Sequence, residues 1–294
     1  RIDMNAQATD IFPRRLKQAR LMRGFSLEKL AQSLAAPISR QAINKYEKGQ
    51  MKPDSTVLIA LANALGMKID YFFRPFTVEV DKVEFRKKSG FTEKMAQAVK
   101  ERVREELERY LEIEQIAGAK VRFTLPRKEV RTLEDAKEFA GEIRQILSLG
   151  SDGISNVIEV LEDNGVKVIE LSENEGFDGL SGFANEEIPL IVVNGNFPTE
   201  RKRFTALHEL GHLLLDIPSE VSPKEVEGLC NAFASEMLLP AVVLKSKLGN
   251  TRHDISLSEL TDIQRQFGIS VDDIMSSLQE LGVISDNRYS VFQK

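Results

Sequence analysis

The sequence predicts a mainly α fold with a small β-sheet, an α+β architecture laid out in three zones. Three observations carry that expectation. Short helical patterns separated by brief turns fill residues 11–75; a charge-rich amphipathic helix of about six turns dominates 76–119; residues 120–294 mix helical patterns with two compact apolar runs of strand type. A chain of 294 residues suits two domains, or three, at roughly 100–200 residues each. An apolar fraction of 42% excludes a disordered chain. The lone cysteine, Cys230, excludes a disulfide-built fold and a multi-cysteine zinc site. No apolar run approaches 18 residues and no signal-peptide pattern opens the chain, so the expectation is a soluble cytoplasmic protein without a membrane partner.

The net charge of −5 hides an uneven distribution. Residues 1–75 hold 13 Lys/Arg and 6 Asp/Glu, a balance of +7, which leaves 27 basic and 39 acidic residues, −12, for 76–294. A basic head on an acidic body implies that the head alone meets a polyanion.

Within the head, residues 14–73 read as helix, helix, turn, helix, helix. Ser26 is placed to cap a helix running through Leu34, and Ser39 to cap the next, Arg40–Glu47. Leu30, Ala31, Ile43, Tyr46, Leu58, Leu61 and Leu65 supply a small core. Arg40, Gln41, Asn44 and Lys45 then lie exposed at or near the start of the second of these helices. Arg matches guanine O6/N7 in the major groove, and Gln and Asn match adenine N6/N7. Lys45, Lys48 and Lys52 suit phosphate, which positions a protein without specifying sequence. The run Ser39-Arg40-Gln41-Ala42-Ile43-Asn44-Lys45-Tyr46-Glu47-Lys48-Gly49, with Lys52-Pro53 and the Leu58–Leu65 helix, resembles the Cro/C1-type (XRE) helix-turn-helix domain. The turn Ala35-Ala36-Pro37-Ile38 departs from that pattern, lacking its usual Gly and running about two residues longer. The resemblance implies double-stranded DNA as partner. Readers of this kind pair on palindromic sites, so a homodimer is expected.

The second zone opens on Val78-Glu79-Val80 and Lys82-Val83-Glu84-Phe85-Arg86, an alternation that suits a short strand. Its long helix places Met95, Val99, Val103, Leu107, Leu111 and Ile116 along one side and ends at Gly118. A spacer, or a dimer-packing helix, accounts for it. In the third zone Leu133–Leu149 and Ile154–Leu161 read as helices and Val166–Leu171 as a strand. A Gly-rich segment (Gly176, Gly179, Gly182) leads to the buried strand Pro189–Val193. Helices follow from Thr199 to about Leu215 and from about Lys224 to Met237, with more toward the end.

Two of the three histidines fall in one pentapeptide, His208-Glu209-Leu210-Gly211-His212. Residues four apart lie about 40° apart around a helix, so both imidazoles leave one face within reach of a single Zn²⁺. Glu209 is then beside the metal without binding it, placed to take a proton from the attacking water. Phe204, Leu207, Leu210, Leu213 and Leu214 make the rest of the helix apolar. A catalytic zinc needs a third protein ligand, and the next helix offers Glu227 and Glu236. These differ by nine positions, half a turn around the helix, so one ion cannot take both. Glu227 shares a face with Asn231, a ligand and an amide to orient a ligating histidine, and is the choice; Glu236 is the alternative.

The segment Arg203-Phe204-Thr205-Ala206-Leu207-His208-Glu209-Leu210-Gly211-His212, with Glu227, Cys230-Asn231-Ala232-Phe233-Ala234 and Met237-Leu238-Leu239-Pro240, resembles the ImmA/IrrE family of metallopeptidases. The likeness runs over roughly 130–290. It implies a C-terminal zincin-like domain, similar to gluzincins, with Zn²⁺ (Mn²⁺ as the other possible ion) on His208, His212 and Glu227 and with Glu209 catalytic. It further implies an endopeptidase that cleaves a repressor protein in a stress or mobile-element response. An oxyanion stabiliser has three candidates, Tyr289, Arg203 and His253. Two other functional classes remain open: a DNA-binding repressor whose zinc domain is a sensor, and one that cuts its own linker.

Overall fold

The structure, a computed structural model, describes residues 11–35, 37–80, 84–85, 92–172 and 177–293. Its contacts divide into two compact units, the described residues of 1–81 with 87–119, and those of 82–86 with 120–294.

The first unit starts with helices α1 (Ile11–Met22), α2 (Leu27–Ser33), α3 (Arg40–Glu47) and α4 (Ser55–Leu65), followed by a 3₁₀ turn at Ile69–Phe73. Side-chain caps set their starts as the sequence predicts. Ser26 accepts from the Lys29 N–H and Ser39 from the Ala42 N–H, while Asp54 does the same for Val57. α2 stops at Ser33, just short of Leu34; within the turn that follows, Ala36 lies outside the described residues. Leu16, Leu30, Ile43, Leu61, Leu65 and Phe72 form the core, fully buried. Arg20 on α1 grips Glu47, the last residue of α3, with two bonds of 2.6 and 2.8 Å, so α3 is pinned at its C-terminal end.

The long helix α5 (Glu93–Ala117) belongs to this same unit, capped by Thr92 and ended by Gly118 at φ 63°. It packs on α1 through charge as well as hydrocarbon. Arg15 of α1 is fully buried, 2.8 Å from Glu108 and 3.6 Å from Glu105 of α5, and donates to the carbonyls of Arg74 (2.9 Å) and Pro75 (2.6 Å). Gln18 accepts from both Arg15 and Tyr71 at 2.8 Å. Ile116, expected on the apolar side, is 79% exposed.

The second unit is built around a four-stranded sheet of order β1-β4-β5-β3. The strands are β1 (Glu84–Phe85), β3 (Lys167–Leu171), β4 (Gly179–Ala184) and β5 (Ile188–Asn194). A parallel pair, β2 (Lys128–Glu129) with β6 (Leu215–Asp216), lies apart from it. β4 and β5 form an antiparallel hairpin, β5 and β3 are parallel, and β1 lies antiparallel on the far side of β4. Helices α6 (Leu133–Ile146), α7 (Val157–Asp163), α8 (Thr199–Leu214) and α9 (Pro223–Leu238) complete the core with α10 (Ala241–Leu248), α11 (Leu257–Phe267), α12 (Val271–Glu280) and α13 (Asp286–Phe292). No single helix among the described residues is long and apolar enough to cross a membrane.

Three sequence-based expectations shift here. The Gly-rich segment, to which the sequence assigned no element, is strand β4 from Gly179; Gly176 lies outside the described residues. Val78-Glu79-Val80 is not strand, although Val78 and Val80 are buried; the strand is Glu84–Phe85. The helix expected from Ile154 starts at Val157, because Asn156 caps it by accepting from the N–H groups of Ile158 and Glu159.

Candidate functional site

The site lies at a helix crossing where Gly211 packs against Cys230. A Cβ at Gly211 would lie 3.4 Å from the Cα, Cβ and Sγ of Cys230, so α8 and α9 come together there. That approach brings α9, with Glu227 one turn before Cys230, against the histidine face of α8. Nε2 of His208 and Oε2 of Glu227 are 3.6 Å apart. The rings of His208 and His212 have centroids 5.2 Å apart, and one donor atom from each of His208, His212 and Glu227 lies within 4.8 Å of the others. For comparison, a tetrahedron of ~2.0–2.1 Å metal bonds has edges of about 3.4 Å. Two imidazoles and a carboxylate are the donor set that zinc takes in a catalytic site, with a fourth position left for water or substrate. The residues therefore fit a divalent metal. His208 is buried, while His212 and Glu227 are half-buried, so the donors converge where solvent can enter.

Glu209 projects from the buried side of α8 to strand β4. Its Oε2 accepts from the Ser181 hydroxyl at 2.7 Å. A Cβ at Gly179 would be 2.9 Å from Glu209 Oε1 and 2.6 Å from Thr205 Cγ2, so a larger residue at 179 would displace this carboxylate. Neither Ser181 nor Gly179 entered the sequence-based site. The available signal was the alternation of small residues in Gly179-Leu180-Ser181-Gly182, which marks close approach of another element.

Other expected residues lie elsewhere. Asn231 is exposed on α9, and among the described residues it makes no hydrogen bond to either histidine. Glu236 accepts from the Ala241 N–H at 3.0 Å at the start of α10, and burial raises its pKa above the usual carboxylate range. It is not in the triad. Arg203 is engaged by four carbonyls, of Ile154, Ser155, Phe267 and Gly268, and holds loops together. Tyr289 is half-buried against the core and His253 is exposed.

The first unit carries the other expected surface. Arg40, Gln41 and Lys45 are exposed on α3 and Asn44 is half-exposed; their side chains make no hydrogen bond or ion pair with protein among the described residues. Lys48 and Lys52 are exposed beyond them. Ser39 spends its hydroxyl on the cap, 3.2 Å from the Ala42 nitrogen. Ile43 and Tyr46 anchor the helix from below.

The two units are similar to domains of two known kinds, a helix-turn-helix regulator domain and an IrrE-like metallopeptidase domain. Residues 16–72 match the helix-turn-helix family model and residues 161–274 the IrrE N-terminal-like domain model. Over 71 residues the chain is 35% identical to the SPbeta prophage-derived uncharacterized HTH-type transcriptional regulator YonR of Bacillus subtilis, a match covering 24% of this chain and 64% of that one. Over 111 residues it is 29% identical to the radiation response metalloprotease IrrE of Deinococcus deserti, covering 34% and 39%. The chain thus spans less than two thirds of either relative.

Proposed function

We propose that the chain is a DNA-binding regulator carrying a zinc-dependent endopeptidase of the gluzincin-like H-E-x-x-H type, which cleaves a separate repressor protein. The convergence of His208, His212 and Glu227 within 4.8 Å, with Glu209 beside them, carries this reading. These three residues would hold the metal, which when bound polarises the scissile carbonyl and acidifies water; zinc suits the donor set, and manganese is the second ion to try. Glu209 accepts the proton of the attacking water and delivers it to the leaving amine. Ser181, hydrogen-bonded to one of its oxygens, fixes the direction in which the other points. Arg40, Gln41, Asn44 and Lys45 read or grip duplex DNA, consistent with the basic balance of the first 75 residues. YonR's prophage origin and IrrE's name support a mobile-element or stress setting, and a regulator on DNA works in the cytoplasm.

The deciding experiment incubates the zinc-loaded chain with a small helix-turn-helix repressor from the same organism. Wild type is expected to fragment the repressor. Glu209→Gln should hold the same zinc content and leave the repressor intact. A variant that cuts normally would overturn the role of Glu209, and an intact repressor with wild type would overturn the substrate.

A further inference from the structure

Beside Glu227 the helix surface is bare. The next residue of α9 is Gly228, half-buried and inside the helix. Beyond its own stretch of helix, a Cβ there would have one neighbour within 4 Å, Cδ2 of Leu133 at 4.0 Å. That is ordinary van der Waals contact, unlike Gly179, where a Cβ would be 2.6 Å from Thr205. Among the described residues, then, nothing requires glycine at 228, although glycine is less favourable than alanine inside a helix. Leu133 is itself 51% exposed in the first turn of α6. Its backbone is fixed: Thr132 accepts from the Asp135 N–H, and the Asp135 carboxylate accepts from the Thr132 N–H. A leucine side chain is thus displayed from a capped helix start, over a bare stretch of helix, next to a residue of the candidate metal triad. We propose that Gly228 and Leu133 form a side-chain subsite, a shelf beside Glu227 that takes an apolar side chain of the substrate polypeptide. This rests on the peptidase reading above and adds to it a residue preference near the cut.

Position and chemistry both select that occupant. Consecutive Cα atoms are about 3.8 Å apart, so a polypeptide held at the triad passes within a side chain's length of the residue that follows Glu227. The Leu133 side chain and the bare Gly228 Cα present hydrocarbon, with no charge to attract an ion. A leucine, methionine or phenylalanine laid there would remove its own surface and that of Leu133 from water. A side chain at 228 would fill the space the substrate needs, which accounts for the glycine.

The test digests a random-sequence peptide library with the zinc-loaded full chain and reads the residues around each cut by mass spectrometry. Wild type is expected to favour Leu, Met or Phe over Gly at one position by about ten- to a hundredfold. Leu133→Asp, which suits the first turn of a helix, should turn that preference toward Lys and Arg. Gly228→Leu, which fills the shelf with a good helix former, should turn it toward Gly and Ala. A merely structural role would lower the rate without exchanging the preferred residue. Wild type without an apolar preference at any position, or one preference shared by all three proteins, would overturn the proposal. In a second arm the library is passed over immobilised, zinc-loaded Glu209→Gln, with and without Leu133→Asp. Retained peptides are expected to be enriched in apolar residues only where Leu133 is intact. If wild type cuts no peptide, the peptidase reading falls and the retained peptides decide the shelf; no enrichment, or equal enrichment on both proteins, overturns it.

Discussion

Glu227 and Glu236 share one helix and have different surroundings. Both are half-buried, but Glu227 has an oxygen 3.6 Å from His208 Nε2, whereas Glu236 accepts from the Ala241 N–H and caps α10. Glu227→Gln should weaken zinc affinity by at least about tenfold, and Glu236→Gln should leave it unchanged, as read by competition with a chelating dye. Their stability effects differ as well. Burial raises the folded-state pKa of Glu236 above 4.5, so its ionised form is a cost to folding above the folded pKa, and that cost fades as pH falls below it. Glutamine keeps an acceptor for the Ala241 N–H without the charge. Glu236→Gln should thus be as stable as wild type or more so at neutral pH, the gain shrinking toward about pH 4 in urea titrations. The histidine pair was legible because four-residue spacing is a property of the helix itself. Ser181 was not, because the alternation of small residues around it marks a close approach without naming its partner, and Glu209 lies 28 positions away across a sheet–helix contact. Asn231 shows the limit of periodicity. It is only about 40° from Glu227, yet Glu227 already sits at the rim of the buried face, and the added rotation carries the amide into solvent.

At the scale of elements, caps and apolar faces located most helices, and α5 shows what they miss. Its apolar stripe was visible, but Glu105 and Glu108 are buried too, although they point away from the side that carries Val103 and Leu107. No pattern of hydrophobicity marks a glutamate as buried when its partner, Arg15, lies on a helix some 90 positions earlier. Such pairs exchange hydration for mutual attraction and gain little net stability, but removing one partner leaves an uncompensated buried charge. Arg15→Met is expected to destabilise the first unit by about 3–5 kcal/mol, whereas Arg15→Met combined with Glu105→Leu and Glu108→Leu should recover most of the loss. Denaturant unfolding followed by circular dichroism reads both. A helix tied to α1 in this way is grouped with the first unit, a placement that its composition, which suits a spacer or a dimer-packing helix, does not reveal. Strand β4 was missed for a related reason: glycine is a poor strand former, and Gly179 is accommodated here because Glu209 and Thr205 press on the strand at that position.

For the whole molecule, the −5 sum misleads about DNA. Binding of a polyanion is governed by the local +7 of the first 75 residues, and each phosphate contact releases counterions, so affinity should fall steeply with salt although the chain is acidic overall. The exposed residues of α3 divide by chemistry. If Gln41 reads one base edge as proposed, Gln41→Ala should cost about 1–3 kcal/mol on the best operator and relax the preference at a single base pair. Lys48 has only charge to offer at the end of the helix. Lys48→Ala should weaken all duplexes about equally and reduce the slope of log K against log salt by about 0.9. Fluorescence anisotropy on an operator selected from random duplexes, repeated across salt concentrations, separates the two. If Lys48→Ala changed base preference with the salt slope intact, α3 would sit in the groove in another orientation, and the set Arg40, Gln41 and Asn44 would lose its role as the reading face.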